Sequence, residues 1–198
     1  LVYGDAGLEG GGILSSDGSR CYATGAWESA YLNHSFAADV EAYVQVPVLP
    51  TADAYLSLMA RVQNVGSATA AAWYYLTVHY NGVSTWTWEI SHYDHSTSTD
   101  LVLVSSTQTL SAGDWMGLQI VGTAIGAWYK PSAGSWTEIV STTDSSISAG
   151  GPIGLQLSDT VTHLDNLSGG NYVSGGGGSV VPPRRTPTNW AAVQRSLR

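Results

Sequence analysis

Cysteine is almost absent from this sequence: Cys21 stands alone in 198 residues, so no disulfide can form within the chain and burial must hold the fold. Charge is scarce too. Charged residues make up 11% of the chain, against the ~25% usual for soluble domains, so the surface must be built from hydroxyls, amides, glycine and aromatic edges. No apolar run approaches the ~20 residues of a membrane-spanning helix, and no membrane partner is expected. The chain opens on Leu1-Val2-Tyr3-Gly4-Asp5, with neither Met nor the regions of a signal peptide, from which we expect processing or further residues upstream. Helical periodicity is nearly missing before residue 186. There is no nucleophile elbow and no phosphate loop; Gly10-Gly11-Gly12 precedes a predicted strand, the wrong context for a dinucleotide fingerprint.

What charge there is divides sharply. All 15 acids lie at or before Asp165, while Arg184, Arg185, Arg195 and Arg198 follow the run Gly175-Gly176-Gly177-Gly178-Ser179. The body holds three bases (Arg20, Arg61 and Lys130) against those 15 acids, a charge of −12, and the end of the chain is +4. An acidic body repels phosphate, so no nucleic-acid partner is expected. The division gives a body over 1–172, a glycine-rich linker over 173–181 and a basic anchoring peptide over 182–198. Val180-Val181-Pro182-Pro183 reads as extended, because each proline disfavours helix before it. Thr188 is placed to cap a short helix with Trp190, Val193 and Leu197 on one stripe. Arg184, Arg185, Trp190, Val193, Arg195 and Leu197 are therefore the candidate partner-binding residues. The receiving surface is expected on a sister copy, on the chain's own body or on another subunit.

The body reads as all-β. Short alternating or apolar runs are separated by Gly, Asn, Asp, Ser or Pro. Candidate strands are Gly12–Ser15, Phe36–Val46, Ala54–Gln63, Ala72–Tyr80, Val83–Tyr93, Leu101–Ser105, Trp115–Val121, Ala124–Lys130, Trp136–Ser141, Ile153–Leu157 and Val161–Leu167. Strands at this spacing predict an antiparallel two-sheet sandwich or barrel. Asn81-Gly82 predicts a two-residue type I′ turn. That register puts Tyr74, Leu76 and Val78 on one side, and Trp73, Tyr75, Trp86 and Trp88 on the other. We expect the first set inward and the second as a stacking platform for sugar rings, whose C–H faces suit indole and phenol. The reverse assignment, with those rings in the core, stays open on pattern alone. Eight Trp and eleven Tyr against one Phe favour rings with polar edges, suited to wet surfaces.

The run Gly113-Asp114-Trp115-Met116-Gly117-Leu118 is followed by Val121-Gly122-Thr123-Ala124-Ile125-Gly126-Ala127-Trp128-Tyr129. Trp136-Thr137-Glu138-Ile139, Asp144, Gly150-Gly151-Pro152-Ile153-Gly154-Leu155 and Leu164-Asp165-Asn166-Leu167 continue the rhythm. This resembles the laminin-G-like members of the concanavalin-like lectin and glucanase superfamily, over roughly Trp27 to Gly169. The resemblance implies a jelly-roll sandwich; for function it spans lectins, adhesion domains, glycosidases and viral coat modules. Glucanases of that superfamily carry Glu-x-Asp-x-x-Glu on one strand. Asp39-Val40-Glu41 is the nearest match and lacks the third acid, so no enzyme is expected. The terminal strands pair in such folds, which would bring Asp5 beside Asp165 as calcium ligands or as a hydrogen-bonded closure. Otherwise no cofactor is expected. His92 and Asp94 alternate onto one side of a strand, without a further ligand cluster nearby.

Arg184-Arg185-Thr186-Pro187-Thr188-Asn189-Trp190 resembles termini of actinobacterial phage structural proteins. It implies a virion decoration or tail-associated protein, anchored by its tail, with host glycan as ligand and self-association open. The alternative is a secreted bacterial carbohydrate-binding module or, further off, a glycoside hydrolase.

Overall fold

The computed structural model describes residues 12–13, 15–16, 20–32, 34–65 and 69–173. They form fourteen strands and no helix. The strands are β1 (Gly12–Ile13), β2 (Ser15–Ser16), β3 (Cys21–Tyr22), β4 (Glu28–Tyr31), β5 (Val40–Val48), β6 (Asp53–Gln63) and β7 (Ala72–Asn81). The second half holds β8 (Trp86–Asp94), β9 (Thr99–Thr107), β10 (Asp114–Val121), β11 (Ala124–Lys130), β12 (Thr137–Thr143), β13 (Gly154–Leu157) and β14 (His163–Asn171). One sheet runs β1-β4-β13-β6-β7-β8-β9 and the other β12-β11-β10-β5-β14-β3-β2. All pairs are antiparallel except β1 with β4. The fold is the expected two-sheet jelly-roll sandwich.

Alternation builds the core. Leu56, Leu58, Tyr74, Leu76, Val78, Trp88 and Ile90 of the first sheet pack with Val40, Ala42, Val44, Met116, Leu118 and Ile120 of the second. Cys21 is buried among them, its thiol pushed up to about 12 by burial and then by the nearby Glu28 carboxylate. Gly150 and Gly151 are required by close approach: a Cβ would fall 2.1 Å from the Phe36 carbonyl oxygen at the first and 2.3 Å from that of Val62 at the second.

Arg61 closes one end of the sandwich. It is 1% exposed, in a left-handed backbone conformation (φ 50°), at a bulge in the β6–β7 ladder. Its guanidinium donates to the carbonyls of Ala38 (2.7 Å), Ile147 (2.6 Å) and Gly122 (2.7 Å), fastening three loops at once.

The β7–β8 turn corrects the expected register. Asn81 is not the first central residue of a two-residue turn. Its Oδ1 accepts from the amides of Val83, Ser84 and Thr85 at 2.9–3.1 Å, and its own amide donates to the Thr85 carbonyl. The loop is therefore wider, and Tyr80 pairs with Trp86 rather than Val83. A shift of three residues is odd, so every β8 side chain changes face. Trp86 and Trp88 point into the core, 7% and 0% exposed, and are not part of an outer platform. The inward placement of Tyr74, Leu76 and Val78 holds.

Two short strands, β3 and β4, were not expected, because neither run is long enough to show a period. The predicted strand Gly12–Ser15 is split between β1 and β2. Asp5, the linker from residue 174, the tail and its predicted helix lie outside the described residues, as do Arg184, Arg185, Trp190, Val193, Arg195 and Leu197. Asp165 is described: its carboxylate accepts from the Asn166 amide at 2.6 Å, a local contact on β14. No group of three or more metal-capable side chains occurs among the described residues.

Candidate binding cleft on the first sheet

Strand pairing lays a polar row across the outer face of the first sheet. Gln156 of β13 sits opposite Ser57 of β6, Ser57 opposite Thr77 of β7, and Thr77 opposite Glu89 of β8. The Ser57 and Thr77 hydroxyls are joined at 2.9 Å. Rows on one face of a sheet repeat every two residues, about 6.7 Å, so the adjacent rows form walls on either side.

Both walls are aromatic. On one side Tyr55 and His79 stack at 4.1 Å with rings 3° apart, and Trp27 lies over Tyr55 at 5.4 Å. The His79 ring is fixed by Asp53 at 2.6 Å. On the other side stands Tyr75, with Trp73 packed against Tyr93 at 4.6 Å one row further on. The Tyr75 hydroxyl donates to the Asp100 carboxylate. Burial pushes the Tyr75 phenol well above its usual range, and the Asp100 carboxylate adds to this, so it remains a neutral donor. The open cleft measures about 430 Å³, inside the ~300–1,000 Å³ range of ligand pockets.

Trp27 is the exposed member of the wall, 43% accessible. A bulky residue at φ 59° is an uncommon conformation that its surroundings must hold. Glu28 does this: its buried carboxylate accepts from the Thr24 amide (2.7 Å) and hydroxyl (2.9 Å), tying the short loop back onto β4.

Of the four expected platform residues, Trp73 and Tyr75 line this cleft, while Trp86 and Trp88 lie beneath it in the core. Trp27, Tyr55, Ser57, His79, Glu89, Ser91, Asp100 and Gln156 were missed. The alternation Tyr55-x-Ser57-x-Met59 against Leu56-x-Leu58 was a legible cue for β6, and an aromatic in the turn Thr24-Gly25-Ala26-Trp27 was a cue for the loop. The Asp39–Glu41 pair does not form a site with this cleft. Glu41 is buried on β5 of the other sheet and accepts from the Tyr43 hydroxyl at 2.8 Å, while Asp39 accepts from the Gly122 amide. His92 packs beside Tyr74, away from the cleft lining.

Solved structures share this architecture. A carbohydrate-binding module of the CBM66 type from Bacillus subtilis superposes with a TM-score of 0.60 at 12% identity, covering 83% of this chain and 96% of the module. The exoplasmic/lumenal domain of VIP36, solved bound to calcium and a mannose-containing glycan, gives 0.59 at 14% identity, with 91% of each chain covered. The CBM2 module of the evolved Dit protein of Lactobacillus casei BL23 phage J-1 gives 0.52 at 13% identity, covering 77% of this chain and 78% of the module. At these identities the likeness establishes the fold alone, a jelly-roll β-sandwich shared with lectin-like domains. No protein-family model matches the chain, and no curated protein matches it.

Proposed function

We propose that this protein is a non-catalytic carbohydrate-binding module that holds an uncharged saccharide in the cleft of the first sheet. The row Gln156–Ser57–Thr77–Glu89 between two aromatic walls carries this reading. Hydroxyl, amide and carboxylate groups on the floor match the alternating donors and acceptors of sugar hydroxyls, and the rings offer faces for sugar C–H groups. Glu89 and Asp100 line the cleft, and among the described residues no Lys or Arg does. Uronates and sialic acids would be repelled.

The geometry of the cleft acids also favours binding over catalysis. Asp100 pairs opposite Tyr93, four residues along β8 from Glu89 and one strand over. Strand dimensions then put the two α-carbons about 14 Å apart, so both side chains would have to lean toward each other to reach the ~5–9.5 Å carboxyl spacing of glycosidases. Asp100 is moreover engaged by Tyr75.

For the setting we favour a phage particle, with the module displayed and the chain held through its basic tail. The similarity to a module of a phage Dit protein supports that reading. The similarity to a bacterial carbohydrate-binding module supports a secreted alternative to the same degree.

A glycan array with neutral and acidic saccharides, followed by calorimetry on the best ligand, tests the site. Trp27→Ala should weaken binding about two- to twelvefold, from the loss of one stacking ring worth roughly 0.5–1.5 kcal/mol. Its melting temperature should stay within a few degrees of the parent, since the ring is exposed. An array empty of neutral glycans, or a Trp27→Ala variant binding as tightly as the parent, overturns the assignment.

A further inference from the structure

We propose that a second cleft, on the outer face of the other sheet, is the seat of the chain's own basic C-terminal segment, residues 180–198. The cleft measures about 570 Å³ and is lined by residues of β10, β11 and β12 together with Tyr172. It lies on the opposite side of the sandwich from the saccharide cleft and does not depend on the function assigned there.

One buried donor points to an occupant. The Trp128 indole Nε1 is shut from solvent and has no hydrogen-bond partner among the described residues. Its side chain lines the cleft and the residue is more than nine-tenths buried, while the neighbouring Gln119 amide is turned to the Tyr43 hydroxyl. An unsatisfied buried donor costs about 1–3 kcal/mol, so an occupant rich in acceptors is strongly favoured there. Gly126 keeps the place open. A Cβ on it would lie 3.0 Å from Trp128 Nε1 and 3.7 Å from Glu138 Oε1, so an indole donor and a carboxylate flank the same small gap.

Charge and tether single out the C-terminal segment. Glu138 lines the cleft, Glu41 sits opposite Gln119 on the neighbouring strand, and no Lys or Arg is among the described lining residues. The segment offers four arginines and no acid, with backbone carbonyls for the orphan indole donor and Trp190 for the apolar part at Val121. Tyr172, itself in the cleft wall, is pinned by its amide to the Asp39 carbonyl at 2.8 Å, and the described chain ends one residue later. Residues 173–179 span up to about 25 Å when extended, enough to turn back onto this face. A tether of that length raises the effective concentration to the millimolar range, so even a ~100 µM intrinsic affinity leaves the segment about nine-tenths docked.

The experiment is limited trypsin digestion of the full chain, timing cleavage after Arg184, Arg185 and Arg195 against a free synthetic 180–198 peptide. In the intact protein these cuts should be about tenfold slower than in the peptide, matching that occupancy. Glu138 is exposed, so Glu138→Arg should fold normally, confirmed by an unchanged melting temperature, and should lose most of the protection. Protection that rises with protein concentration, with dimers in sedimentation, supports the same seat filled by a sister chain's segment. Tail cleavage at the free-peptide rate in the intact protein overturns the proposal. So does protection that survives Glu138→Arg, since the segment would then sit elsewhere.

Discussion

Trp88→Ala separates two ways of folding the β7–β8 hairpin. With the wider Asn81 loop, Trp88 is fully buried, donates from Nε1 to the Gln108 carbonyl at 2.6 Å and meets Tyr129 edge-on at 6.0 Å. Cutting a buried Trp to Ala costs about 3–5 kcal/mol through lost packing and the cavity left behind. The orphaned Gln108 carbonyl adds roughly 1 kcal/mol, giving about 4–6 kcal/mol in all. That is a large share of the ~5–15 kcal/mol by which domains are stable. In urea, with a slope near 2 kcal/mol/M, the midpoint should fall by about 2–3 M at unchanged slope, followed by circular dichroism. Trp88→Phe should cost roughly half as much, because most of the packing stays. A Trp88→Ala loss below about 1 kcal/mol, the range of surface substitutions, refutes the reasoning, above all if saccharide binding vanishes with it. The two-residue turn, with Trp88 on the outer platform, would then be correct.

Arg61→Met should destabilise by about 3 kcal/mol, since three carbonyls lose charge-assisted donors. Arg61→Lys should recover little of that, because an ammonium cannot span three separate acceptors; parent-like urea stability of the Lys variant would count against the fastening role. The Tyr74–Asp144 contact should show in the pH dependence of stability. Burial and the Asp144 carboxylate push the Tyr74 phenol up to about 12, so its contribution is complete below the ordinary tyrosine range near ~10 and is lost as pH rises through about 12. Burial pulls Asp144 upward, but the Tyr74 hydroxyl and Ser146 amide outweigh it and hold the carboxyl below its ordinary ~3.9; that contribution is complete above ~3.9 and lost as pH falls through the lowered value. The stability difference between parent and Tyr74→Phe should thus be flat across the neutral range and shrink at both ends. A difference that does not change with pH would dismiss the coupling.

The sequence by itself determined the fold class and most of the strands. Alternating patterns such as those of β6 and β10 survive any tertiary context, because only one face of a sandwich sheet meets the core. The placement of Tyr74, Leu76 and Val78 inward was legible for the same reason, as was the outward facing of Trp73 and Tyr75. The face of β8 was not. It depended on whether Asn81 spends its side chain on one turn or caps three successive amides, and that choice is made by the hydrogen bonds available once both strands have paired. A change of three residues in pairing then moved Trp86 and Trp88 from the expected platform to the core. Nor could the sequence assemble the cleft, whose floor draws Gln156, Ser57, Thr77 and Glu89 from four strands and whose rim takes Trp27 from a distant loop. Such a row exists only across a sheet, where neighbours in space are set by strand order rather than by spacing along the chain.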